Sequence, residues 1–122
     1  MREKLRGCTL AGTGSKVPER VLTNADLEKM VETSNEWIIE RTGIRQRHIV
    51  EKGMATSDMA IEAAIEALKQ RGMPASEVEA IFLGTVTPDM VFPATACIVQ
   101  DKIGAKGAWG YDISAACSGF VY

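Results

Sequence analysis

The chain has 122 residues, 46% hydrophobic and 25% charged, with a formal net charge of −2. That is enough for one compact domain with a core, and no basic surplus points to nucleic acid or an acidic membrane surface. Three cysteines without a CxxC, and His48 as the one histidine, argue against a disulfide scaffold or a metal site and suit a reduced, cytoplasmic setting.

The opening MREKLRGCTLAGTGS is charged and has only a short apolar stretch, unlike a signal peptide. No apolar run approaches membrane-spanning length. Residues 8–13 read as a short buried strand running into glycines. Thr23 or Asn24 can cap a helix with Leu27, Met30 and Val31 at i, i+3, i+4 spacing. A second helix follows, with Thr33 at the cap, Glu36 three residues on and Gly43 as the stop. Residues 46–50 look extended. The clearest helix runs from about Ser57 to Gln70, on a stripe of Ile61, Ala64, Ile65 and Leu68, and Gly72 and Pro74 end it. Residues 80–86 (AIFLGTV) form an apolar run without alternation, the pattern of a strand buried on both faces. A further helix is expected over about 94–103, closed by Gly104. Residues 109–114 are a last strand leading into Ala115-Ala116-Cys117-Ser118-Gly119. Strands and helices alternate, which predicts an α/β layered fold with a largely parallel core. The final CSGFVY is an apolar, small-residue segment of the kind that needs burial, and it reads as part of a longer chain.

Cys117 falls where an apolar strand should hand over to a helix. Small neighbours let the backbone turn sharply and let a substrate approach, as in a nucleophile elbow with cysteine in place of serine. A helix N-terminus there would favour the thiolate and aim backbone N–H groups at a developing oxyanion. A buried structural thiol between alanines accounts for the local pattern equally well. Cys8, entering a strand, and Cys97, within a helix, read as core-packing thiols.

Four segments together resemble one family: TNADLE (23–28), SNEWIIERTGIRQRHI (34–49), FPATA (92–96) and DISAACSGF (112–120). They are similar to β-ketoacyl-acyl-carrier-protein synthase III, the initiating condensing enzyme of type II fatty-acid synthesis, and the likeness covers nearly the whole chain. The resemblance implies a thiolase-like α/β/α/β/α layered fold, of which residues 1–122 would be the first part of the N-terminal half. It implies that Cys117 accepts an acyl group from acyl-CoA, and that a carbanion from malonyl-acyl-carrier protein then attacks the acyl-cysteine. CoA is substrate here, with no further cofactor and no metal. A histidine and an asparagine that complete the family's site would lie beyond Tyr122. The resemblance also places Thr33, Trp37 and Arg41 at the CoA entrance. Their i, i+4, i+8 spacing puts them on one helical face, where an indole can stack on adenine and a guanidinium can pair with phosphate. Phe92 matches a residue that shapes the acyl pocket across a homodimer. Arg45, Arg47 and His48 read as a solvated or structural face, with the two arginines also able to meet CoA phosphates or an acidic carrier protein. A related synthase of secondary metabolism and a non-catalytic CoA-binding or dimerisation piece stand as alternatives, and the lack of a CxxC weakens a thiol oxidoreductase.

Overall fold

The computed structural model describes residues 7–122; the charged opening residues 1–6 lie outside them. Two compact units are distinguished, one of Val17–Ala55 and one of Thr56–Tyr122 with the segment up to Lys16.

In the Val17–Ala55 unit, β1 (Val21–Thr23) pairs antiparallel with β2 (Gln46–His48), Leu22 opposite Arg47. Helix α1 is short, Asn24–Glu28. Thr23 is its cap: the hydroxyl accepts from the Asp26 N–H, and the Asp26 carboxylate accepts from the Thr23 N–H. This reciprocal pair satisfies two otherwise unpaired donors. The helix closes before Met30 and Val31, which are exposed rather than part of its apolar stripe. Helix α2 spans Asn35–Thr42 and stops at Gly43, φ 72°. Its cap is Ser34, not Thr33: Ser34 is extended, and its hydroxyl accepts from the Trp37 N–H at 3.1 Å. Thr33 therefore lies outside the helix and cannot share a helical face with Trp37 and Arg41.

Asn24, 2% exposed, ties this unit together. Its side-chain amide donates to Asn35 Oδ1 (3.0 Å) and to the Ile44 carbonyl (2.9 Å), and its oxygen accepts from Arg47 Nη1 (2.9 Å). Buried amides need such partners to offset desolvation. Helix α1, the start of α2 and the strand after α2 are thus joined by one side chain.

In the other unit, α3 (Thr56–Arg71) matches the expected helix to within a residue at each end. Residues 8–13 form no strand. They are mostly exposed, and Thr13, Ser15 and Lys16 bond to side chains of α3. Gln70 Oε1 takes the Thr13 N–H and Glu66 Oε2 the Ser15 N–H, while Lys16 pairs with Glu62 at 2.7 Å. A side chain on Gly14 would strike the backbone of Ala63, so glycine is required for this approach. The Thr13 and Ser15 amides are satisfied by helix side chains.

Strands β3 (Ala80–Gly84) and β4 (Trp109–Ile113) are parallel, Ala80 opposite Trp109 and Gly84 opposite Ile113. Helix α4 (Thr95–Ile103) makes the crossover and ends at Gly104. It contacts both strands and α3, and Ala96, Val99 and the following Ala105 form the buried core. The pair is not buried on both faces. Phe82, Trp109 and Tyr111 share the opposite face and remain about half exposed. Their rings lie 5.2–6.1 Å apart, with Phe82 edge-on to both others. The apolar run of 80–86 concealed this alternation because the outward position carries a phenylalanine.

Candidate active site

Strand β4 delivers the chain to Cys117 through an abrupt turn. Ala115 has φ −131° and Ala116 φ +45°, and residues Ala116–Ser118 form one 3-10 turn. A positive φ is uncommon for a residue with a side chain, and such strain persists only where the surroundings impose it. Here the surroundings are the Ser118 N–H to Ala115 carbonyl bond (2.9 Å), the Gly119 N–H to Ala116 carbonyl bond (3.0 Å), and the seat of the turn on β3. Gly119 is buried, and a Cβ on Gly84 would come within 3.1 Å of its carbonyl carbon. Two glycines thus let the turn rest on the end of β3, and Cys117 is left exposed with a free thiol. A sharp turn stands where the sequence predicts one, and among the described residues a single 3-10 turn follows β4.

The other thiols differ. Cys97 is half-buried in α4, its Sγ 3.9 Å from the Gly110 carbonyl, as expected of a packing residue. Cys8 is exposed, because the segment that carries it forms no strand.

Phe92 stands on the loop between β3 and α4 and is 86% exposed, so it does not serve as loop packing. The loop itself is fixed. The Thr85 N–H donates to the Ile113 carbonyl, Thr56 Oγ1 donates to the Thr87 carbonyl, and Asp89 accepts from the Ser57 N–H. The Asp89 N–H donates to Oγ1 of the fully buried Thr95. At the start of α4 the Thr95 and Ala96 N–H groups donate to the two oxygens of Asp112, at 2.7 and 2.8 Å. A strand carboxylate thereby performs the capping that Ala94 cannot.

In the Val17–Ala55 unit, Thr33 and Trp37 line a shallow cleft of about 310 Å³ together with Glu32 and Ser34. Trp37 is 56% exposed, so it is no core aromatic. The Arg41 guanidinium lies 6.0 Å from its ring centroid, one helical turn along α2, a cation–π contact worth about 0.5–1 kcal/mol at such an exposed site. Thr33 joins Trp37 through the loop ahead of α2, and Arg41 joins it through the helix. The start of α2 is held by Asn24 and by Glu28, which accepts the Asn35 N–H at 2.7 Å. Glu36 in the first turn is kept below the ordinary carboxylate range chiefly by its own backbone N–H and then by the Asn35 amide. Arg47 is committed to Asn24, and His48 Nδ1 lies 2.6 Å from the Pro18 carbonyl, so both have structural work. Arg45 is exposed.

Sequence reasoning names Thr23 as a cap, as observed, and Asn24 only as an alternative cap; the long-range bonds of Asn24, Asp89 and Asp112 have no local signature.

The comparisons bear on this arrangement directly. The chain is 58% identical over 118 residues to β-ketoacyl-acyl-carrier-protein synthase III of Koribacter versatilis, covering 97% of this chain and 35% of that protein. It superposes on the crystal structure of 3-oxoacyl-acyl-carrier-protein synthase III from Aquifex aeolicus with a TM-score of 0.89 and 50% identity, over 95% of this chain and 37% of that one. Over the stretch it spans, the chain matches β-ketoacyl-acyl-carrier-protein synthases III at 50–65% identity. Its fold is accordingly part of the thiolase-like layered fold. The priming β-ketosynthase of the R1128 polyketide pathway is also similar, with a TM-score of 0.86 and 33% identity over 91% of this chain and 33% of that one. No protein-family model matches the chain. The chain spans about a third of the length of the curated relatives it matches. No helix among the described residues is long and apolar enough to cross a membrane.

Proposed function

We propose that this chain supplies the acyl-accepting cysteine of a β-ketoacyl-acyl-carrier-protein synthase III that initiates fatty-acid synthesis, and that it forms the first part of the N-terminal half of that enzyme. The Cys117 thiolate attacks the thioester carbonyl of a short acyl-CoA, and CoA leaves as its thiol. Malonyl-acyl-carrier protein then loses CO2. The resulting carbanion attacks the acyl-cysteine carbonyl and expels the Cys117 thiolate, giving a β-ketoacyl-carrier protein. Acyl-CoA and malonyl-carrier protein are substrates, and no separate cofactor takes part. The enzyme works as a cytoplasmic homodimer in which Phe92 shapes the acyl pocket of the other subunit. Trp37 stacks on the adenine of CoA, Arg41 pairs with its phosphates, and Thr33 borders the same nucleotide.

The observation that carries this reading is the turn at Ala116. A non-glycine residue is held at positive φ so that an exposed thiol projects from the end of a parallel strand. A packing cysteine would require neither the strain nor the exposure. The exposed Trp37 and the fully displayed Phe92 also support it, since neither has a packing role among the described residues. The likeness to the R1128 priming ketosynthase favours a second reading, a priming synthase of a secondary pathway.

The test is turnover by the full-length protein with a panel of short acyl-CoAs and malonyl-carrier protein. CoA release and β-ketoacyl product are expected from the native protein and not from Cys117→Ala. Equal turnover by both would overturn the assignment. A preference for the carrier protein of a secondary pathway would favour the second reading.

A further inference from the structure

The loop that displays Phe92 and the turn that presents Cys117 share one anchor. The loop leaves β3 at Thr85, whose N–H donates to the Ile113 carbonyl (3.1 Å), and it enters α4 at Thr95, whose N–H donates to Asp112 Oδ2 (2.7 Å). Its two ends are therefore fastened to adjacent residues of β4, shortly before Cys117. Close ends of this kind are the mark of a compact, Ω-type loop. The fastening at Ile113 is backbone only. At Asp112 it is a side chain, and both carboxylate oxygens are used, the second accepting from the Ala96 N–H at 2.8 Å. Thr95 and Ala96 are fully buried. The bond continues inward: Thr95 Oγ1 accepts the Asp89 N–H (3.0 Å), three residues before Phe92, and Asp89 Oδ1 accepts the Ser57 N–H (2.9 Å).

We propose that Asp112 is a positioning residue that clamps the Phe92 loop to the end of β4 and thereby sets which acyl groups the Cys117 of the other subunit accepts. The proposal rests on the reading of Cys117 and Phe92 given above and adds a residue to it. Hydrogen bonds accepted by a carboxylate are stronger than neutral ones. Here they also cap a buried helix end, so the alternative to the clamped state leaves two donors without partners. Asp112 touches neither substrate nor the reacting atoms; it acts through Thr95 and the loop. Loss of the clamp should move Phe92 relative to the pocket it shapes, while the Ala116 turn, held by its own backbone bonds and by Gly84, keeps Cys117 competent.

Two variants of the full-length protein test this. Asp112→Asn keeps one acceptor oxygen and loses the other. Thr95→Val keeps the backbone bonds to Asp112 and removes only the acceptor for the Asp89 N–H. For each, kcat/KM is measured for a short and a longer acyl-CoA, and amide hydrogen exchange is followed over residues 85–94. Both variants are expected to shift the ratio of the two kcat/KM values by about threefold or more, in the same direction as Phe92→Ala, because neighbours in one network couple. Exchange over 85–94 should rise with it. A fall in activity that is equal for both acyl-CoAs, as a general loss of fold would give, overturns the proposal, and so does unchanged exchange in the loop. If the native protein takes no acyl group from any acyl-CoA, the reading of Cys117 itself has failed and the specificity role falls with it, whereas the exchange data still decide the clamp.

Discussion

Replacing Asn24 by leucine isolates the interaction that holds the Val17–Ala55 unit together. Leucine has a similar size, so the change removes hydrogen bonds without opening a large cavity. Two bonds to neutral partners, Asn35 and the Ile44 carbonyl, are lost, together with one from the Arg47 guanidinium. At about 1 kcal/mol for each neutral bond and about 2 kcal/mol for the charged one, the loss is about 4 kcal/mol. Burial of the added apolar surface returns about 1 kcal/mol. A net cost of about 3 kcal/mol corresponds to roughly a hundredfold larger equilibrium population of the open form of this unit. Hydrogen exchange read by mass spectrometry resolves it, and amides of α1 and α2 should lose about two orders of magnitude of protection. Protection within about threefold of the native chain would show that the buried amide is not the organising contact.

Other outcomes follow from the same geometry. Trp37→Ala and Arg41→Ala should each raise KM for acyl-CoA by about tenfold with a smaller effect on kcat, as removal of a stacking or phosphate contact does; a kcat effect with unchanged KM would contradict the CoA-entrance role. Gly84→Val should displace the Gly119 seat, since even its Cβ would lie 3.1 Å from that backbone, and slow acyl transfer to Cys117 by about tenfold or more; an unchanged rate would show that the turn does not depend on that contact. The Thr23 hydroxyl first, then the Thr23 N–H and Lys29, hold the Asp26 carboxyl below its ordinary 3.8. Its folded value is thus lower than its unfolded one, so the stability it adds is complete above 3.8 and is lost as pH falls through the lower value. Acid unfolding followed by exchange in α1 should be less pH-dependent in Asp26→Asn than in the native chain, and identical profiles would refute the linkage.

What the sequence makes legible is local. Helix α3 follows from its apolar stripe, and α4 and α2 end where Gly104 and Gly43 allow it. The Cys117 turn is foreshadowed by the small residues around it. The cap of α2 was displaced by one residue because Thr33 and Ser34 are chemically alike and only backbone conformation separates them; that shift removes Thr33 from the helical face yet leaves it beside Trp37 in the same cleft. Residues 8–13 have the composition of a strand, but a strand is a pairing, and composition alone does not supply the partner. The half-open face of β3 and β4 was hidden by Phe82, whose hydrophobicity masks the period of two. Asn24 and Asp112 act on partners 11–23 and 16–17 residues away, beyond any local pattern. The family resemblance reached the segments that contain them but gave no reason for their presence, which only their hydrogen bonds supply.

The claim that Cys117 is the acyl acceptor is tested most directly by locating the acyl group on the chain. The choice is a real one, because Cys8 and Cys117 are both exposed while Cys97 is half-buried. Incubation of the full-length protein with a short acyl-CoA, followed by proteolysis and tandem mass spectrometry, should place a thioester-linked acyl group on Cys117 and leave Cys8 and Cys97 unmodified. An acyl group on Cys8, or equal labelling of the exposed thiols, would contradict the assignment.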